Sequence, residues 1–172
     1  MAEEETYAPD LKDLREGIVG LYVEEFEIGK KMISPGRTIG EGDINLFAGL
    51  VSDFTPIHVD HAYAEKTQFG GRIAHGTLTM STAIGLATQL NFLGDGVIAL
   101  LNLNWDFSGI VMIGDTIYAH VTPAEARKSQ SKPHAGVVKF AFEVINQKGE
   151  MIQKGTMTVL MKTKDHPVPI RR

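Results

Sequence analysis

The fold class predicted by the sequence is α+β: one long apolar helix followed by a run of strands that would pair as an antiparallel sheet. Two observations carry this prediction. Between Thr77 and Leu90 the apolar positions Leu78, Met80, Ala83, Ile84, Leu86, Ala87 and Leu90 cover most of a helix circumference, so the helix should be enclosed on several sides. After Gly96 the period changes to two. Leu101, Leu103, Trp105 and Phe107 alternate with Asn102, Asn104 and Asp106, and Ile117, Ala119 and Val121 alternate with Thr116, Tyr118, His120 and Thr122. Each run reads as a strand with one buried face. Val138, Phe140, Phe142 and Val144 repeat the pattern, Asn146 to Gly149 makes a turn, and Met157, Val159 and Met161 alternate with Thr156, Thr158 and Lys162.

Upstream elements are shorter. Ile33 to Ile39 reads as an early strand interrupted by Pro35 and Gly36. Asp43, followed by Ile44, Leu46, Phe47 and Leu50, reads as the N-cap of a helix that stops before Asp53, and Asp60 as the cap of a second, short helix carrying Ala62, Tyr63 and Ala64. In the long helix the small residues Ser81, Ala83, Gly85 and Ala87 admit close approach of sheet or partner backbone, and Asn91 with Gly94 supplies the stop. With no repeat and no low-complexity linker, residues 1–172 read as a single domain whose core runs from about 20 to 163. The first dozen residues and Asp165 to Pro169 are expected to be peripheral.

Composition narrows the function class. At 172 residues, 43% hydrophobic and 22% charged, the chain can bury a sizeable core and is close to the globular average. A net charge of −4 argues against a nucleic-acid partner, because phosphate neutralisation needs clustered Lys and Arg. No apolar run is long enough to cross a bilayer, and Glu3, Glu4 and Glu5 stand where a secretory leader would be basic, so a cytoplasmic location without a membrane partner is expected. The absence of cysteine excludes disulfides, cysteine nucleophiles and thiolate metal sites. No Gly-rich phosphate loop follows a strand, and no cofactor is expected.

The stretch from Ser52 to Gly76 concentrates the chemistry. Asp53 and His58 would face apart on an ideal helix, but Pro56 fixes its own φ and pushes Thr55 out of the helical region. An ordered loop is therefore expected, in which the two side chains converge on one small molecule. A carboxylate and an imidazole sharing a water can take up a proton and return it near neutral pH, which is the chemistry of adding or removing water. Gly76 stands where the long helix begins, and a helix N-terminus offers unsatisfied N–H groups and a positive dipole end.

The run Asp53-Phe54-Thr55-Pro56-Ile57-His58-x-Asp60, then Ala62, Ala64, Phe69, Ile73, His75 and Gly76, resembles the hydratase motif of MaoC-like dehydratases and (R)-specific enoyl-CoA hydratases. Gly36-Arg37-Thr38 and the segment from Asp43 to Phe47 match the lead-in to that motif, and the resemblance continues more loosely to about Lys162. Two departures stand out: Thr55 replaces the usual Asn, and Ser52 stands where Gly often precedes the Asp.

The resemblance implies a single hotdog fold, an antiparallel sheet wrapped around a long central helix, in a homodimer or a larger assembly of dimers. It implies reversible hydration of a trans-2-enoyl-CoA to an (R)-3-hydroxyacyl-CoA, with an acyl-CoA thioester as substrate. It assigns Asp53 and His58 to the catalytic pair and the Gly76 amide to the oxyanion site. Coenzyme A phosphates could dock at Arg127, Lys128 and Lys132, the densest basic cluster, for which a solvated loop is an equally good account.

Other readings compete. Helix capping accounts for Asp60, and a packed, hydrogen-bonded ring that positions the Gly76 backbone accounts for His75. A metal site built from His58, Asp60, His61 and His75 lacks standard spacing, so no metal is expected. The same fold serves acyl-CoA thioesterases, and Thr55 motivates a noncatalytic acyl-CoA-binding subunit as a third reading.

Overall fold

The computed structural model describes residues 20–168 and 170; the expected peripheral N-terminal dozen and Pro169 lie outside the described residues. In chain order the elements are β1 (Met32–Ile33), β2 (Arg37–Thr38), α1 (Glu41–Val51), α2 (Pro56–Val59), α3 (His61–Ala64) and α4 (Gly76–Thr88). Then come the four long strands β3 (Val97–Phe107), β4 (Thr116–Lys128), β5 (Ala135–Asn146) and β6 (Met151–Lys162). They form one antiparallel sheet in the order β1-β4-β5-β6-β3, with β2 also pairing with β4.

The alternation read from the sequence describes the interior strands. Ile117, Ala119 and Val121 of β4, Val138, Phe140, Phe142 and Val144 of β5, and Met157, Val159 and Met161 of β6 are all buried. They meet at Phe140, whose ring packs edge-on against Phe26 at 5.3 Å and tilted against Phe92 at 5.1 Å. The hairpin from β5 to β6 turns where Gly149 takes φ 79° and donates its N–H to the Asn146 carbonyl at 3.0 Å.

Four features differ from expectation, each for a physical reason. The early strand is two strands, because the chain leaves the ladder after Ser34, at Pro35, which has no N–H to give. Helix α1 starts at Glu41, with Gly40 as N-cap; Asp43 sits at the third helical position and its carboxylate accepts the Gly40 N–H at 2.8 Å. That bond and Arg37 Nη2, 2.6 Å from the other Asp43 oxygen, hold the carboxyl below its usual range.

Strand β3 lies at the sheet edge with β6 as its only neighbour in the path. A register shift between Leu100 and Asn102 takes Leu101 off the inward row, leaving Leu103 and Trp105 half-buried while Leu101 and Phe107 are exposed. Helix α4 presses Leu78, Ala83, Leu86 and Ala87 into the core but leaves Thr77, Ser81, Gly85 and Thr88 open. Within one chain it is covered on one face, where the sequence predicted several. No helix among the described residues is long and apolar enough to cross a membrane.

Candidate active site

The chain enters the site through a strained cap. Ser52 ends α1 in the left-handed conformation, at φ 60° and ψ 27°, which turns the next residue, Asp53, away from the helix axis. Glycine has no Cβ to oppose that geometry, so Ser52 holds it under strain that a Gly would not feel. Ser52→Gly is expected to raise the unfolding free energy by roughly 0.5–1 kcal/mol, read from urea unfolding.

Thr55 then organises Asp53. Its N–H and its hydroxyl both donate to Asp53 Oδ1, at 3.1 and 2.6 Å. The hydroxyl first, then the N–H, hold Asp53 below the usual carboxylate range, while Oδ2 lies 3.9 Å from His75 Nε2. The short Thr therefore replaces reach with a double grip on one oxygen.

Thr55 keeps extended backbone, with ψ 130°, as the residue before Pro56 must. The expected loop instead closes one turn of helix, because proline is well suited to the first helical position. That turn delivers His58 inward, 8% exposed, with Nδ1 2.8 Å from the Ile73 carbonyl oxygen. A carbonyl can only accept, so Nδ1 carries the proton and Nε2 presents its lone pair. Burial pushes the His58 pKa down by more than the Ile73 bond raises it, which keeps the ring neutral.

Asp60 then accepts the Tyr63 N–H at 2.9 Å and caps α3, as the sequence implied. His61 points outward and pairs with Glu65 at 3.1 Å, so neither joins His58 in a metal set.

His75 completes the cluster. One oxygen of Asp53 and one ring nitrogen each of His58 and His75 lie within 4.8 Å of one another. Two hydrogen bonds of about 2.8 Å meeting at a tetrahedral water oxygen reach across about 4.6 Å, so groups this close are within reach of one shared water. It suits a metal ion less well. The two imidazole rings are stacked, with centroids 3.9 Å apart and 27° between planes. Their lone pairs therefore lie in nearly parallel planes, whereas the ligands of a tetrahedral zinc converge on one centre from different directions.

Gly76 is the first residue of α4, so its N–H has no intrahelical acceptor. Its carbonyl accepts from Gln153 Nε2 at 3.0 Å, and Gln153 Oε1 in turn accepts from Trp105 Nε1 at 2.9 Å. This relay, anchored in β6 and β3, holds the Gly76–Thr77 peptide in the first turn of α4. Phe107 leaves room for no side chain there: a Cβ on Gly76 would come 2.9 Å from its ring. On the other side Arg72, 8% exposed, donates to Glu41 and Asn45 of α1 and so ties that helix to the segment leading into His75.

Asp53, His58 and Gly76 are thus brought to one end of the sheet, and His75 and Gln153 join them. The basic cluster is elsewhere within the chain. Arg127 pairs with Glu125 at 2.9 Å, Lys128 pairs with Glu24 at 3.2 Å, and the Lys132 N–H is held by Ser129. Lys128 shares its ladder row with Gly136 and Met161, eight residues along β6 from Gln153, or roughly 26 Å away. Gln153 carried a signal in the sequence: it continues the inward row of Met157, Val159 and Met161 with a polar side chain.

An antiparallel sheet packed on one helix, with a carboxylate, two histidines and a helix start at one end, defines the class: the chain belongs to the family described as MaoC like domain, whose model matches residues 24–145. The architecture is the hotdog fold of its structural neighbours. Among characterised relatives, the (R)-specific enoyl-CoA hydratase of Rhodospirillum rubrum is 43% identical over 102 residues, covering 59% of this chain and 68% of that protein. The (R)-specific enoyl-CoA hydratase of Aeromonas caviae is 31% identical over 136 residues, covering 79% and 96%. The solved R-hydratase PhaJ1 of Pseudomonas aeruginosa, unliganded, superposes with a TM-score of 0.71 at 30% identity, over 86% of this chain and 87% of that one.

Proposed function

We propose that this protein is a hydro-lyase that adds water reversibly across the double bond of a trans-2-enoyl-CoA to give an (R)-3-hydroxyacyl-CoA. The observation that carries the reading is the pairing of an ionised Asp53 with a neutral His58 whose Nδ1–H is held by Ile73, the two groups and His75 clustered within 4.8 Å. The (R) configuration and the CoA carrier are supported by the names of the relatives.

The chemistry balances without a cofactor. Water loses a proton to the pair as its oxygen bonds to C3; the C2–C3 π electrons move toward the thioester, and the proton returns at C2. His58 is the better proton acceptor of the two, since the imidazolium keeps its Nδ1–H on the Ile73 carbonyl. Negative charge gathers transiently on the thioester oxygen as an enolate, and the position of Gly76 at the start of α4, with its N–H lacking an intrahelical acceptor, supports its role as the donor.

The test is loss of enoyl-thioester absorbance from crotonyl-CoA or longer enoyl-CoAs without thiol release. Thiol release would assign a thioesterase, and saturable binding without turnover a noncatalytic acyl-CoA-binding subunit.

Protonation sets the pH dependence. Activity needs His58 neutral and Asp53 ionised, and both pKa values are lowered, so both conditions persist below the ordinary histidine range. The acid limb of kcat/KM is expected below about pH 6.5. Thr55→Val is expected to lower kcat about tenfold, the worth of one hydrogen bond to a charged group, with the acid limb unmoved because Asp53 stays ionised there.

A homodimer paired through β3 accompanies this reading. Val97, Ile98, Leu100 and Leu101 are exposed along that edge, beside the open face of α4. A two-fold antiparallel pairing would turn the basic end of one sheet, with Arg127, Lys128 and Lys132, toward the catalytic end of the other.

A further inference from the structure

His75 sits where the three parts of the site meet, and it is 2% exposed. Its Nε2 is 3.0 Å from the Asp53 carbonyl oxygen, which can only accept, so Nε2 carries a proton and donates it, with Nδ1 as the other ring nitrogen. The His58 ring lies stacked against it, and the Phe47 ring from α1 packs at 5.2 Å on it as well. The peptide that follows His75 is that of Gly76, and the His75 carbonyl accepts the Thr79 N–H that closes the first turn of α4.

Packing alone does not explain a histidine here. Its Nδ1 is buried with no hydrogen-bond partner, which costs stability, and a phenyl ring of nearly the same shape would carry no such cost. What a phenyl ring could not supply is the N–H that holds the Asp53 backbone. The backbone carbonyl so held is that of Asp53, which carries the proposed catalytic carboxylate, and the ring His75 stacks on belongs to the proposed base.

We propose that His75 is a positioning residue for hydration, fixing the spacing of Asp53, His58 and Gly76 through one side chain without itself touching the substrate. The inference rests on Asp53 and His58 being the proton-handling pair. Displacement of reacting groups by about 1 Å can cost on the order of a hundredfold in rate, so the expected effect is on kcat and not on KM.

The test is a matched pair of variants, His75→Gln and His75→Met, similar in size and differing in the donor, assayed as full-length protein on an enoyl-CoA that the parent hydrates. The Gln variant is expected to keep a kcat about tenfold or more above the Met variant at similar KM. Equal kcat in the two would overturn the proposal. His75→Phe supplies an independent reading: a melting temperature at or above the parent's, with kcat lowered about 30- to 100-fold, is expected. Parental kcat in a folded Phe variant would overturn it. Asp53→Asn measured alongside separates the two layers: if that variant stays active, the catalytic pair is misassigned, whereas an inactive Asp53→Asn with a fully active His75→Phe refutes only the role given to His75.

Discussion

Asp53→Asn and His58→Ala are each expected to lower the hydration rate by about 10²- to 10⁴-fold while KM changes little. The Asn side chain preserves shape and can still accept from Thr55, so the loss isolates the negative charge that Thr55 stabilises. Removing His58 takes away the Nε2 lone pair and leaves the Ile73 carbonyl without its partner, so a modest loss of stability should accompany the loss of rate. Because the two groups would act on one water, the double variant is expected to be no slower than the slower single variant. Near-parental rate in either folded single variant would refute the pair. The same rate without thiol release in the parent is what separates hydration from thioester cleavage.

The second large effect is expected at Gly76, where the functional atom is a backbone hydrogen that ordinary side-chain substitution cannot remove. Proline can remove it. The first position of a helix accepts proline, and His75, at φ −58° and ψ 135°, already has the extended backbone that a following proline requires. A Cβ would collide with Phe107, whose ring is half exposed, so both members of the comparison carry Phe107→Ala. In that background Gly76→Pro is expected to have a kcat about 10²- to 10³-fold below Gly76→Ala, equivalent to about 3 kcal/mol of barrier, with similar melting temperatures. Equal kcat would mean that the Gly76 amide is not the oxyanion donor.

Much of this arrangement is legible along the chain because it is encoded locally. Pro56 and Thr55 announce a break that swings His58 back toward Asp53, and the structure bears out the convergence, although through a turn of helix where a loop was expected. Gly40 displaced Asp43 as the N-cap of α1 because Asp43, three positions on, could reach back to the Gly40 N–H and still pair with Arg37. The left-handed cap at Ser52 makes one departure from the family pattern a strained one, and the double grip of Thr55 on Asp53 gives the other a working geometry.

The sequence by itself determined the long helix, the alternation of the interior strands and the convergence of a carboxylate with an imidazole, because periodicity and proline geometry act over a few residues. The tertiary structure decided what covers each apolar face. The Leu101 to Phe107 alternation reads the same for an edge strand as for a covered one, and only the pairing order places β3 at the edge. It also decided the chemistry of the rings. His75 becomes a stacked, backbone-holding donor, and His58 a neutral acceptor, through contacts with Asp53 and Ile73 that lie 22 and 15 residues away in the chain. Protonation follows burial and hydrogen bonding, and both are set by which distant segments meet, a property that no local pattern of residues contains.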